Sequence, residues 1–135
     1  MQCMSSGDRR SRVLIVDDEE PICRLVDRIL VEGGYDTVIA PDADAAIGLV
    51  ATDDPLDLLL TDLMMPDMNG DELARRVRQV RPSLKVLYLT GFPDRLFSTR
   101  PILWEGEAFL EKPIRSAALR EAVSLALFGH TRGPA

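Results

Sequence analysis

Cysteine, histidine and long apolar runs are what this 135-residue chain has least of. Its two cysteines, Cys3 near the start and Cys23 in a helical stretch, make neither a disulfide framework nor a metal-ligand spacing. The compartment that fits them is a reducing cytoplasm. The single histidine, His130, lies in a tail with glycine and proline. No apolar run approaches the roughly 18 residues that span a bilayer, and the polar start lacks the apolar centre of a secretory signal. Positive charge is also short. Lys and Arg number 16 against 22 Asp and Glu, a net charge of −6, which speaks against nucleic acid or an anionic membrane as direct partner.

What is present is a globular composition, 46% apolar, on a length that suits one domain. Residues 1–11 read as a disordered leader, 12–128 as the domain and 129–135 as tail. Val13–Val16 is continuously apolar and β-branched, which suits a strand covered on both faces. It ends in Asp17-Asp18-Glu19-Glu20, and Pro21 fits the first turn of a helix. Ile22, Leu25, Val26, Ile29 and Leu30 then form the expected buried stripe, with Cys23 off it, until Gly33-Gly34 stops the helix. Thr37–Ala40 is a second strand. Asp42 or Asp44 caps a helix that turns Ala46, Ile47 and Val50 inward. Leu58–Thr61 is the third strand, closed by Asp62, and the next helix is expected to bury Leu73, Val77 and Val80. Lys85–Leu89 is the fourth strand, finishing at Thr90-Gly91, and Ala108–Leu110 a short fifth before Glu111-Lys112-Pro113. Ser116 is the expected cap of a last helix carrying Leu119, Ala122, Val123, Ala126 and Leu127.

Strands alternating with helices imply a parallel sheet wrapped on both faces by right-handed crossovers. The C-terminal ends of such strands share one edge, where ligands bind. Asp17 and Asp18 follow the first strand, Asp62 the third, Thr90 the fourth and Lys112 the fifth, so all of them converge on one rim. Strand two offers nothing comparable. Carboxylates gathered this closely must take up a proton or bind a cation. Oxygen-only ligands select Mg²⁺, with Mn²⁺ as substitute, over metals that want His or Cys. A carboxylate so neutralised can attack phosphorus and form an aspartyl phosphate. A lysine and a hydroxyl would then stabilise the spread charge, which is most of what phosphoryl transfer asks of a protein.

These residues resemble the receiver domain of two-component response regulators. The matching pieces are Val13–Asp18 with its acidic pair, Asp62-Leu63-Met64-Met65-Pro66 with Asn69-Gly70, Thr90-Gly91, Phe109, and Lys112-Pro113, each after its proper strand. The resemblance implies a flavodoxin-like (βα)5 three-layer α/β sandwich with a five-stranded sheet of order 2-1-3-4-5. It implies a phosphoacceptor in a phosphorelay: Asp62 takes its phosphoryl group from a phosphohistidine on a histidine kinase or histidine phosphotransfer domain. It also implies Mg²⁺ on Asp18, Asp62 and the Met64 backbone carbonyl, with Asp17 acting through water. Thr90 and Lys112 contact the phosphoryl group, Thr90 and Phe109 form the switch, and Lys112-Pro113 is cis. The protein is then no enzyme in the ordinary sense. It promotes its own phosphorylation and slow autodephosphorylation, and docks a downstream protein target as a monomer or weak homodimer. His130 lies in the tail and not on a helix, so the phosphodonor is expected to be another protein, another domain or a small acyl phosphate.

Some features depart from that pattern. Pro93 and Pro101 squeeze the fourth helix to about two turns, and Trp104 nearby would serve as a partner contact. Met64 and Phe92, each two residues past a site residue, would shield the acyl phosphate from water. Two other functions compete. A Mg²⁺-dependent phosphohydrolase of the haloacid-dehalogenase class wants Asp-x-Asp, whereas here Glu19 stands two after Asp17. A non-phosphorylated interaction module would not need the full set of Asp62, Thr90 and Lys112. A calcium loop around Gly70 fails, because its first and twelfth positions would be Met65 and Arg76. The chain is expected to be a stand-alone receiver or one cut from a hybrid sensor kinase.

Overall fold

Every second residue of a strand points to the same face, so a run apolar at all positions must be covered on both sides. The run Val13–Val16 is buried throughout, with Leu14 and Val16 in one core and Val13 and Ile15 in the other. A computed structural model describes residues 10–52, 54–66, 68–91 and 107–128. Their elements are β1 (Arg12–Val16), α1 (Glu20–Glu32), β2 (Asp36–Ala40), α2 (Ala43–Val50), β3 (Leu58–Asp62), α3 (Gly70–Val80), β4 (Lys85–Thr90), β5 (Glu107–Glu111) and α4 (Ser116–Phe128). All strand pairs are parallel, in the order β2-β1-β3-β4-β5. This is the α/β architecture that the alternation implies. Helices α2 and α3 cover one face, and α1 and α4 the other. Among the described residues no helix is long and apolar enough to cross a membrane.

The local signals act as their chemistry requires. Pro21 lies in the first turn of α1, and Gly34 past its end takes φ +95°, a conformation that suits glycine. Asp42 caps α2, accepting from the Ala45 N–H at 2.8 Å. Of the leader predicted over 1–11, residues 10 and 11 are described, and the Ser11 carbonyl accepts from the Asp36 N–H at 3.0 Å.

Four local expectations need correction. Cys23 belongs to the buried stripe of α1 and Leu25, 39% exposed, does not. The inward face runs through residues 22, 23, 26, 29 and 30, and Leu25 lies a quarter-turn from it. Val80 ends α3 at 58% exposure, while Ala74 takes the buried place beside Val77. Helix α4 begins at Ser116 itself, and its first backbone bond runs from Leu119 N–H to the Arg115 carbonyl, so the cap is one residue earlier. The predicted helix between Pro93 and Pro101, with Phe92, Trp104, Cys3, His130 and residues 129–135, lies outside the described residues.

Candidate functional site

β1 and β3 are neighbours with Val16 opposite Thr61, so Asp17, just past β1, and Asp62, the last residue of β3, come side by side. Carboxylate oxygens of Asp17, Asp18 and Asp62 all lie within 4.8 Å of one another. β5 delivers Lys112 from the other side through a bond from its N–H to the Thr90 carbonyl at 2.8 Å. Lys112 Nζ is 3.4 Å from Asp62 Oδ1, 3.8 Å from Asp17 Oδ2 and 3.4 Å from Glu19 Oε1. Among the described residues the rim thus gathers Asp17, Asp18, Glu19 and Asp62 around the Lys112 ammonium. The Lys112-Pro113 peptide is cis.

Burial sets the electrostatics. Asp17 and Asp62 are only 2% and 5% exposed. Burial pushes the Asp17 carboxyl up to about 6; the Glu19 N–H, 2.9 Å from its Oδ1, pulls it back only in part, and nearby Asp62 adds to the rise. Burial likewise raises Asp62 above the usual carboxylate range, although Lys112 pulls the other way. Burial alone would lower the Lys112 ammonium, but Asp62 and then Asp17 hold it above its ordinary value. The second oxygen of Asp17, Oδ2, is buried and has no hydrogen-bond partner, and Lys112 Nζ meets it only at an ion-pair distance of 3.8 Å. A buried anionic oxygen left so is costly unless a cation meets it. A buried oxygen without a hydrogen bond beside two more carboxylates, with only oxygen donors on offer, fits a hard divalent ion such as Mg²⁺.

The other predicted residues also have definite places. Thr90 ends β4 and is buried. Met64 is half-buried, and its N–H points to Asp62 Oδ1 at 3.5 Å. Phe109 lies in register with Tyr88 and is 36% exposed.

Three contributors have roles that sequence reasoning did not assign. Glu19 contacts Lys112, and Cys23 donates its thiol to the Asp17 carbonyl at 3.2 Å. Gly70 is the third: a Cβ there would sit 2.4 Å from the Asp62 carbonyl oxygen, so only glycine fits. The Gly70 N–H donates to the Leu63 carbonyl at 2.8 Å, which pins the start of α3 against the end of β3. The Asn69-Gly70 pair was the available signal for it. Asp42, just past the edge strand β2, lines a groove with Asp18, Met65, Pro66 and Met68, so the β2 end is not wholly remote from the rim.

The sequence profile of the response regulator receiver domain matches residues 13–124. The chain belongs to that family. Among curated proteins, this receiver is 32% identical over 120 residues to the uncharacterized transcriptional regulatory protein YrkP of Bacillus subtilis (strain 168), covering 89% of the chain and 51% of YrkP. It is 36% identical over 115 residues to the sensor histidine kinase TmoS of Ectopseudomonas mendocina, covering 84% of the chain and 12% of TmoS. The receiver thus spans about half of the first relative and a small part of the second. Among solved structures, the signal receiver domain of an HD domain-containing protein from Pseudomonas fluorescens Pf-5 is 30% identical, with a TM-score of 0.78. That match covers 94% of this chain and 91% of the other. The flavodoxin-like fold expected of a receiver is therefore the fold observed.

Proposed function

We propose that this receiver is a phosphoacceptor switch in a phosphorelay, with Asp62 as the residue that takes the phosphoryl group. The observation that carries the reading is the meeting of Asp17, Asp18 and Asp62 within 4.8 Å, with Lys112 3.4 Å from Asp62. An Asp62 carboxylate oxygen forms a bond to phosphorus as the bond from phosphorus to a partner's histidine nitrogen breaks. The electron pair leaves with that nitrogen, and the ring, which carries a proton on its other nitrogen before transfer, ends as a neutral imidazole. A histidine kinase or a histidine phosphotransfer domain supplies the group, and a small acyl phosphate substitutes.

Asp17, Asp18, Asp62 and the Met64 backbone carbonyl would hold Mg²⁺ or Mn²⁺, Asp17 through water. When bound, the ion supplies positive charge that offsets the repulsion between carboxylate and phosphoryl oxygens. Lys112 supports the transferred group from the opposite side, its ammonium held charged by Asp62 and Asp17. The Thr90 hydroxyl donates to a phosphoryl oxygen. Phosphorylation adds roughly one to two negative charges at the rim and biases a two-state equilibrium. Thr90 and Phe109 carry that change to a downstream protein target. Phe109, 36% exposed in this state, would turn inward in the phosphorylated one. Residues 12–128 constitute the receiver, which turns over no separate substrate and works in the cytoplasm.

The test is incubation with acetyl phosphate and Mg²⁺ followed by intact mass. Wild type should gain one phosphoryl group, labile in base, and Asp62→Asn should gain none. An unchanged wild-type mass, or an equal gain in the variant, would remove the reading.

A further inference from the structure

Lys112 has an acidic neighbour for which the chemistry above has no use. Asp62 and Glu19 both approach its Nζ at 3.4 Å. The two differ in setting: Asp62 is buried at the strand end, whereas the Glu19 side chain is 60% exposed. Glu19 is nevertheless fixed at its backbone. Its N–H donates to Asp17 Oδ1 at 2.9 Å, and its carbonyl accepts from Ile22 and Cys23 at 3.0 and 3.1 Å. This Glu19 backbone anchor brings the carboxylate to the mouth of the site. The next acid, Glu20, is turned away and pairs with Arg24 at 3.0 Å.

We propose that Glu19 is a positioning residue that draws Lys112 toward the mouth, in competition with Asp62, and so slows capture of a phosphoryl group by the resting protein. The inference rests on the reading of Asp62 as phosphoacceptor. One ammonium shared by Asp62, Asp17 and, at 3.4 Å, Glu19 is less available to an arriving anion than one left to the two aspartates. Once a phosphoryl group sits on Asp62, its greater charge and its three acceptor oxygens win the lysine. Glu19, being exposed, then swings back into solvent at little penalty. Glu19 thus favours the unphosphorylated arrangement and loses its hold only when transfer is complete.

Two measurements on the full chain test this. In the first, Glu19→Gln and Glu20→Gln are compared with wild type for the rate of phosphorylation by acetyl phosphate with Mg²⁺ at low salt, read by intact mass. Both substitutions remove one charge from neighbouring positions, but only the first frees Lys112. Glu19→Gln should react faster by roughly two- to fivefold, the factor appropriate to an exposed ion pair, and Glu20→Gln should stay close to wild type. A Glu19→Gln rate equal to or below wild type, or an equal acceleration in Glu20→Gln, overturns the proposal.

The second measurement needs no phosphoryl transfer. A carbodiimide should join the Glu19 carboxylate to the Lys112 amine with loss of one water, mapped on peptides. Lys85 is the only other lysine, so the assignment is simple. The link should fade when Mg²⁺ and beryllofluoride, a phosphoryl mimic, are added. Absence of the link in a protein that phosphorylates normally overturns this inference alone. A wild type that takes no phosphoryl group removes the Asp62 reading instead, and with it the kinetic role given to Glu19.

Discussion

Replacing Asp17 by asparagine should stabilise the metal-free protein near neutral pH, although it removes a residue from the centre of the site. Asp17 is 2% exposed, and burial lifts its carboxyl from 3.8 to about 6. A tenfold change in proton affinity is worth about 1.4 kcal/mol, so keeping this group ionised in the native state at pH 7 costs about 3 kcal/mol. The native state binds the proton more tightly than the unfolded chain does. Its contribution to stability is therefore complete below about pH 4 and is lost as pH rises through about 6. Asp62, raised in the same direction, adds to the trend. Asparagine retains an oxygen for the Glu19 N–H and replaces Asp17 Oδ2, which has no hydrogen bond, with a donor that can face Asp62, giving up only the 3.8 Å pairing with Lys112. Denaturant unfolding in chelator should therefore show wild type losing stability between about pH 4.5 and 7.5, and Asp17→Asn losing less. At about pH 7.5 the variant should be more stable by up to about 3 kcal/mol, or about 10 °C in Tm for a domain of this size. Added Mg²⁺ should stabilise wild type and do little for the variant. The reasoning is refuted if wild type in chelator is equally stable at both ends of that range, or if Asp17→Asn is the weaker protein at its upper end.

Two further outcomes follow from the same geometry. Gly70→Ala places a methyl 2.4 Å from the Asp62 carbonyl oxygen, so the end of β3 must shift. It should cost about 1–3 kcal/mol in unfolding experiments and slow the acetyl phosphate reaction; a variant unchanged in both would show that the contact is relieved without moving Asp62. Cys23 is buried, with its thiol pushed up to about 11 from 9.0. In a Cys3→Ser background it should resist an aromatic disulfide reagent at about pH 8 until the protein unfolds, because the lost thiolate alone slows reaction about a hundredfold. Rapid labelling of the folded protein would contradict the burial.

Local chemistry was enough to place most elements. The runs Val13–Val16 and Leu58–Leu60 are apolar at every position, which a sheet covered on both faces demands and few other settings tolerate. Because parallel strands end on one edge, the rim holding Asp17, Asp18, Asp62, Thr90 and Lys112 was legible in the chain itself. Periodicity was a poorer guide at helix margins. Leu25 and Val80 carry apolar side chains that a stripe argument turns inward, but Val80 lies in the last turn of its helix and Leu25 a quarter-turn off the face that meets the sheet.

Other features depend on distances that no spacing along the chain encodes. Sequence order puts Glu19 beside Asp17, but only the folded rim brings it to Lys112, a residue 93 positions away. The Asp17 oxygen left without a hydrogen bond and the closeness of Gly70 to Asp62 are likewise products of packing. What the sequence determined alone was which residue types stand at the ends of which strands, since burial and alternation are local demands. How those groups share one cation was decided by tertiary structure, because Coulomb energy depends on separation in space and not on position in the chain.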